Sequence, residues 1–134
     1  MSAGIETSPE PPKAALSYPF DTPANGQALQ VAPGVHWLRL PLPLALDHIN
    51  VWALDDGDGW AVVDTGIRSD ETAAAWRAIF AGAPDRRPLT RVFVTHMHPD
   101  HIGMAGWLTR KFGCRLWITR LEYLNCRVLV SDTG

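Results

Sequence analysis

Seven consecutive residues decide how this chain is interpreted, and they read Thr95-His96-Met97-His98-Pro99-Asp100-His101. Three of the five histidines of the chain fall in this run, together with one aspartate. Imidazole and carboxylate groups bind divalent metal ions in proteins. In an extended segment residues i and i+2 point to the same side, so His96 and His98 can hold one ion. Pro99 bends the path, and Asp100 and His101 then face a second ion from a helix start. The alternatives are exposed polar loop residues that bind no metal, or a histidine whose hydrogen bonds are satisfied inside a core.

The segments on both sides of this loop predict alternating strands and helices. Residues 89–95 are apolar and rich in β-formers, which is typical of a short buried strand. A helix is expected over about residues 102–112, with Gly113 just beyond its end. Residues 114–118 predict another strand, and Thr119 has capping-box spacing to Glu122 at the start of a last helix. The loop therefore follows a strand, where open α/β sheets place their sites.

The upstream half of the chain predicts three strands and one helix. Residues 35–40, 49–54 and 60–64 are β-rich, and the turn cluster at 55–59 joins the last two strands in a hairpin. Ser69 is the expected N-cap of a helix that ends near Gly82 and Pro84. Its apolar face consists of Ala73, Trp76, Ile79 and Phe80. The order β-hairpin, α, β, α, β, α places the chain in the α/β class.

Length and proline content predict one domain behind an N-terminal extension. A chain of 134 residues with 46% hydrophobic residues is enough for a single core. Six of the eleven prolines fall within residues 1–33. We therefore expect a flexible proline-rich extension over residues 1–25 and the domain over 26–134. The alternative is an extension that wraps the domain, with Tyr18, Phe20 and Leu29 docked on it.

Charge and targeting signals exclude several classes of protein. The net charge of −2 argues against a dedicated nucleic-acid partner, which would need a basic excess. No apolar run is long enough to cross a membrane, and the first residues lack the features of a signal peptide. Cys114 and Cys126 lie in apolar segments and predict two buried, reduced thiols. These features predict a cytoplasmic protein.

Residues 95–101 resemble the His-x-His-x-Asp-His motif of the metallo-β-lactamase-fold hydrolases. The upstream run Val62-Val63-Asp64-Thr65-Gly66 is similar to the first sequence block of that superfamily, which also follows a hairpin and precedes a helix. The resemblance covers about residues 30–134. It implies a metallo-β-lactamase-type αββα sandwich, of which only the N-terminal half is present.

The resemblance also implies a mechanism and a role for each residue. His96 and His98 would bind one metal ion, Asp100 and His101 a second, and Asp64 would support the loop without binding metal. Two divalent ions, usually zinc, would hold a hydroxide that attacks an ester, thioester, lactone or related bond of a small-molecule substrate. Asp100 would also act in catalysis, by orienting this nucleophile or receiving its proton. Zinc, iron and manganese all stay open as the metal.

The sequence departs from the family after the motif. Such hydrolases complete their two metal sites with a later histidine, a bridging aspartate and a final histidine, but no histidine follows His101 here. Glu122 and Asp132 are the acids that remain, and neither lies in a ligand context. We therefore expect a truncated chain that is inactive alone and needs the C-terminal half or a partner chain. The competing hypotheses are a non-catalytic metal-binding or remnant chain and, with less support, a redox protein of the flavo-di-iron type.

Overall fold

The computed structural model describes residues 16–83 and 86–132. The strands are β1 Ala28–Ala32, β2 Val35–Pro41, β3 His48–Asp56, β4 Gly59–Val63, β5 Leu89–Phe93 and β6 Arg115–Trp117. The helices are α1 Asp70–Gly82, α2 Pro99–Ile102, α3 Ala105–Phe112 and α4 Arg120–Asp132. The six strands form one sheet in chain order.

The sheet is antiparallel from β1 to β4 and parallel from β4 to β6. The predicted hairpin is confirmed, because Asp56 pairs with Gly59 across a turn in which Gly57 has a φ of 66°. Parallel neighbours need crossover connections, which α1 supplies between β4 and β5, and α2 with α3 between β5 and β6. The expected α/β class is confirmed.

One face of the sheet and two helices enclose the hydrophobic core. Leu38 of β2, Val62 of β4 and Val92 of β5 are fully or almost fully buried. Trp76 of α1 and Leu108 of α3 are fully buried with them. The indole of Trp76 donates a hydrogen bond of 2.8 Å to the carbonyl oxygen of Thr65, so the core ties α1 to the segment after β4.

The opposite face carries a line of large side chains that we call the aromatic row: Trp37, Trp52, Val63, Phe93 and Trp117. Strand pairing places these residues side by side across β2, β3, β4, β5 and β6. Trp37 stacks on Trp52, and Phe93 contacts Trp117 at ring centroid distances of 6.5 and 5.9 Å. Trp52 keeps 39% and Trp117 48% of its surface exposed. The row is thus an open apolar surface along one end of the sheet.

Helix α1 begins as predicted. The side chain of Ser69 accepts a hydrogen bond from the backbone N–H of Thr72 at 3.0 Å, which satisfies one of the free donors of the first turn. Asp70 and Glu71 follow in that turn, where negative charge is favourable. Pro84, the expected stop, lies outside the described residues.

The helix expected over about residues 102–112 is present as α3, Ala105–Phe112, and the separate short helix α2, Pro99–Ile102, comes before it. A β-carbon on Gly103 would lie 2.4 to 2.8 Å from backbone atoms of residues 66, 68 and 99. The chain therefore packs against the segment after β4 at this point, and the backbone N–H of Met104 donates to the carbonyl oxygen of Gly66 at 3.2 Å. Beyond α3, Gly113 has the predicted left-handed conformation with a φ of 64°.

The division into an extension over residues 1–25 and a domain over 26–134 stays a prediction. Residues 1–15 of the predicted extension lie outside the described residues, and residues 16–25 form neither a helix nor a strand. Tyr18 is 86% and Phe20 43% exposed, so neither side chain is buried on the domain. Leu29 belongs instead to β1, a strand that the sequence did not predict.

Cys114, Cys126 and many apolar side chains of helix α4 are more exposed to solvent than residues in a closed core are. Cys114 and Cys126 are free thiols and both are half-buried, so the prediction of two buried thiols is wrong. Burial nonetheless raises the pKa of the Cys114 thiol. Helix α4 exposes a series of apolar side chains, among them Leu121, Leu124, Val128 and Leu129. No helix in the part of the chain that the structure describes could span a bilayer.

Candidate metal centre

The carboxyl ends of β4 and β5 bring the two sequence motifs together. These strands are parallel and paired through Val63 and Phe93, so the residues that follow them leave the sheet at the same edge. Asp64 comes directly after β4, and its backbone N–H donates to the carbonyl oxygen of Phe93 at 2.8 Å. Thr95 and the histidine loop come after β5. The edge of the sheet thus holds both segments in contact.

Asp64 anchors the loop through three groups. Its carboxylate accepts hydrogen bonds of 2.8 Å from the backbone N–H of Thr95 and of 2.9 to 3.0 Å from the Thr95 hydroxyl. It also lies 2.8 Å from Nδ1 of His101. Asp64 is only 6% exposed and has a φ of 64°, a left-handed conformation that aspartate tolerates better than most residues. The fold therefore stabilises a costly backbone conformation at this position.

Thr65 fastens the other end of the loop. The residue is fully buried, and both its backbone N–H and its hydroxyl donate to the carbonyl oxygen of His101, at 2.9 and 2.7 Å. The same hydroxyl accepts from the backbone N–H of Met104 at 3.1 Å. Residues 64 and 65 together therefore hold the loop at both ends, at Thr95 and at α2.

His96 and His98 form the first candidate ligand pair. Nε2 of His96 lies 3.1 Å from Nδ1 of His98, and Nδ1 of His96 lies 2.9 Å from the Thr95 hydroxyl. Two nitrogen ligands of a tetrahedral zinc ion at about 2.0–2.1 Å are separated by about 3.3 Å. The prediction that these two side chains point to the same side agrees with this geometry, and the pair fits one metal ion.

Asp100 and His101 form the second candidate pair. Oδ2 of Asp100 lies 3.5 Å from Nε2 of His101, again a separation expected for two ligands of one ion. A carboxylate only accepts hydrogen bonds, so the contact with Asp64 places the proton of His101 on Nδ1 and leaves the Nε2 lone pair free for metal. The ring centroids of His96 and His101 are 3.9 Å apart, so the two pairs are adjacent.

The structure brings all the predicted site residues together, as two pairs with Asp64 behind them. It does not form a larger set: within residues 16–83 and 86–132, no group of three or more His, Cys, Asp or Glu side chains is placed to hold one ion. Each pair leaves coordination positions for other ligands. The assignment of these residues to metal therefore stays a prediction.

Two further residues shape the loop and were missed from the sequence. The Thr95 hydroxyl bridges Asp64 and His96. The carboxylate of Glu122 on α4 accepts a hydrogen bond of 2.8 Å from the backbone N–H of Met97. The capping-box spacing suggested a different role for Glu122, within its own helix. Thr95 was within the quoted motif, but nothing in its spacing identified its partners.

His48 belongs to a separate polar cluster at the start of β3. Its Nδ1 lies 2.7 Å from Asp47 and 2.8 Å from the guanidinium of Arg39. The hydrogen bond from His48 lowers the pKa of the exposed Asp47 carboxyl. These contacts account for His48 without a metal.

Comparisons with known proteins agree on one family. A family model described as the metallo-beta-lactamase superfamily matches residues 44–131. A probable metallo-hydrolase, YybB of Bacillus subtilis (strain 168), is 38% identical over 89 residues, which are 65% of this chain and 38% of that protein.

Solved structures give the same result. The chain is similar to a beta-lactamase domain protein from Burkholderia ambifaria, with a TM-score of 0.78 and 45% identity over 83% of this chain. It is also similar to the metallo-beta-lactamase family protein TTHA1429 from Thermus thermophilus, with a TM-score of 0.62 and 26% identity over 70% of this chain. The chain spans 35% and 31% of the length of these two proteins. The family match, the αβ topology and the paired histidines and carboxylates at one strand edge are consistent, and the chain belongs to the metallo-beta-lactamase superfamily.

Proposed function

We propose that this chain carries half of the active site of a dinuclear, zinc-dependent hydrolase. Membership of the superfamily supports a metal-dependent hydrolase in general. The observation that carries the finer proposal is the 3.1 Å separation between Nε2 of His96 and Nδ1 of His98. His96 and His98 would hold the first ion, and Asp100 and His101 the second. The substrate would be a small molecule with an ester, thioester, lactone or related bond.

The residues of this chain would orient the site and handle a proton. Zinc ions, when bound, would activate a water molecule and polarise the bond to be cleaved. Asp64 would keep the proton of His101 on Nδ1, so that Nε2 always faces the metal position. The second oxygen of Asp100 would stay available to orient the nucleophile or to receive a proton from it.

The proposal requires ligands from outside the described residues. Two protein ligands for each ion leave a zinc site open, and structural or catalytic sites use three or four. A C-terminal half or a partner chain would supply the rest, and the open aromatic row offers an apolar surface for it. Nucleic acid and membrane are not proposed as partners. The free thiols of Cys114 and Cys126 favour a cytoplasmic location.

Metal analysis of the purified chain tests the ligand assignment. We expect zinc in the wild type and loss of most of it in the double variant His96→Ala/His98→Ala. The matched control is His48→Ala, which removes an imidazole from the separate polar cluster at the start of β3 and should leave the zinc content unchanged. Equal zinc content in the wild type and the double variant would refute the ligand assignment. Iron or manganese in place of zinc would refute the identification of the metal as zinc.

Activity measurements test whether the site is incomplete. The 134-residue chain alone should show little or no turnover of thioesters, lactones or phosphodiesters. A metal-dependent rate in the range of ordinary enzymes, about 1–10³ per second, would contradict the need for further ligands.

A non-catalytic metal-binding chain is the second candidate function. It is favoured by the absence, among the described residues, of any group of three ligands for one ion. Zinc binding that persists without turnover, even after the missing half or a partner chain is supplied, would favour this candidate over the hydrolase.

A further inference from the structure

We infer that Glu122 is a positioning residue that sets the geometry of the first ligand pair. The inference rests on the proposed function, since it gives Glu122 a role at the same metal site. Its basis is the hydrogen bond from the backbone N–H of Met97 to Oε2 of Glu122.

The position of Met97 makes this contact important. Met97 lies between His96 and His98, and its N–H belongs to the peptide group that joins Met97 to His96. Fixing the direction of that N–H fixes the plane of the peptide, since the peptide group is rigid. The backbone dihedrals on either side then determine where the two imidazoles project. Glu122 thus holds the middle of the loop, while Asp64 and Thr65 hold its ends.

The orientation of Glu122 on α4 agrees with this role. Its neighbours Leu121 and Tyr123 are 68% and 44% exposed, whereas Glu122 is half-buried and turned toward the loop. Of the two bonds of a capping box, the one from the backbone N–H of Glu122 to the Thr119 hydroxyl is long, at 3.4 Å. The Glu122 side chain contacts Met97 rather than its own helix start, so the carboxylate links α4 to the loop of residues 95–101.

The Glu122 carboxylate can affect metal binding in two ways, by its hydrogen bond to Met97 and by its negative charge. A charged acceptor makes a stronger hydrogen bond to a backbone N–H than a neutral one does. A negative charge beside the loop would also attract cations without any positioning. Glu122→Gln keeps an acceptor oxygen and removes the charge, while Glu122→Ala removes both. If Glu122 acts by positioning, glutamine should rescue most of the function that alanine loses.

The experiment compares Glu122→Ala and Glu122→Gln with matched changes of Glu71, an exposed acid in the first turn of α1. The first readout is the hydrogen-exchange rate of the Met97 amide, measured by NMR on the chain without metal. The second is the zinc dissociation constant, measured by competition with a chelator. Urea unfolding of each variant confirms that the fold is intact.

We expect Glu122→Ala to speed exchange at Met97 by about tenfold or more, as loss of a bond to a charged group implies. Zinc binding should weaken by about 10–100-fold, the usual effect of losing a residue that orients metal ligands. Glu122→Gln should stay within about threefold of wild type on both readouts, and the Glu71 variants should match wild type.

Each contrary result has a distinct meaning. Unchanged exchange at Met97 in Glu122→Ala would overturn the inference, and so would a glutamine variant as defective as the alanine variant. If the wild type and Glu122→Ala bind zinc with equal affinity, the inference about Glu122 is overturned, but the metal site remains supported. A third outcome is that the wild type binds no zinc, while Met97 exchange is faster in Glu122→Ala but not in the other variants. This outcome would refute the proposed function and retain Glu122 as the residue that orients the loop.

Discussion

Replacement of Asp64 by alanine or by asparagine tests the loop of residues 95–101 at its anchor. The carboxylate accepts from the Thr95 backbone, the Thr95 hydroxyl and Nδ1 of His101, and the residue is 6% exposed. A hydrogen bond to a charged group contributes about 1.5–3 kcal/mol, but Thr95 is exposed and water can replace part of its bonds. Alanine at a φ of 64° adds a further backbone cost of about 1 kcal/mol. We expect Asp64→Ala to lower the free energy of unfolding by about 3–4 kcal/mol.

Asparagine should separate stability from metal binding. It tolerates the left-handed conformation and keeps one oxygen for the Thr95 backbone N–H, so the loss of unfolding free energy should be only about 1–2 kcal/mol. Its amide nitrogen, however, would face Nδ1 of His101, and two donors cannot bond. His101 then has to carry its proton on Nε2, which removes the lone pair for metal. We expect zinc affinity to fall by about 10–100-fold in both variants.

The measurements are urea unfolding, zinc competition with a chelator, and the tautomer of His101 from nitrogen chemical shifts. The matched control is Asp47→Asn, which also removes a carboxylate bonded to a histidine but at a side chain that is 78% exposed. It should change stability by less than about 0.5 kcal/mol and leave zinc affinity unchanged. If Asp64→Asn preserves zinc affinity or the Nδ1–H tautomer, the reasoning about His101 is refuted.

Three further changes have expected outcomes. Gly66→Ala should lower the free energy of unfolding, measured in urea, by about 2 kcal/mol or more. The residue has a φ of 84°, and a β-carbon would lie 2.8 Å from two side chains. The control is Gly82→Ala, because no atom lies within 4 Å of the new carbon. The hydrogen bond from the Thr90 hydroxyl is the main cause of the lowered pKa of the Asp56 carboxyl. The ionised carboxylate therefore stabilises the fold above the ordinary pKa of 3.8, and this stabilisation is lost as the pH falls below that value. Thermal melts should therefore show a steeper loss in acid for wild type than for Asp56→Asn, and parallel curves would contradict this. Cys114, whose pKa is raised by burial, should be alkylated by iodoacetamide more slowly than a small thiol at pH 8; an equal or faster rate would show that the thiol is open.

The elements that the sequence predicted correctly are those encoded locally. Ser69 caps α1 through a contact three residues away, and the hairpin at 55–59 closes on glycine and aspartate. The pairing of His96 with His98 follows from the alternation of an extended segment. In each case the partners lie within a few residues of each other, so spacing alone carries the information.

The elements that were missed depend on contacts between distant segments. The break between α2 and α3 occurs where Gly103 packs against residues 66 and 68, which no local pattern reveals. Strand β1 is a short edge strand whose pairing with β2 supplies what its weak β-propensity does not. Glu122 contacts a residue 25 positions away, although its spacing from Thr119 also fits a local cap. Local spacing could not discriminate between these two partners.

The two candidate ligand pairs and the aromatic row occupy one continuous region of the molecule. Val63, Phe93 and Trp117 are the last residues of β4, β5 and β6, and Asp64 and Thr95 follow the first two within two positions. A layer that covered the row would therefore end beside residues 95–101, where its own side chains would lie near the proposed metal positions. Burial of exposed indole surface is favourable at about 25 cal/mol per Å² of apolar area, whether or not a metal is present. In the proposed hydrolase, such a hydrophobic contact would hold the additional ligands in position before metal binds, and metal affinity should increase when the row is covered.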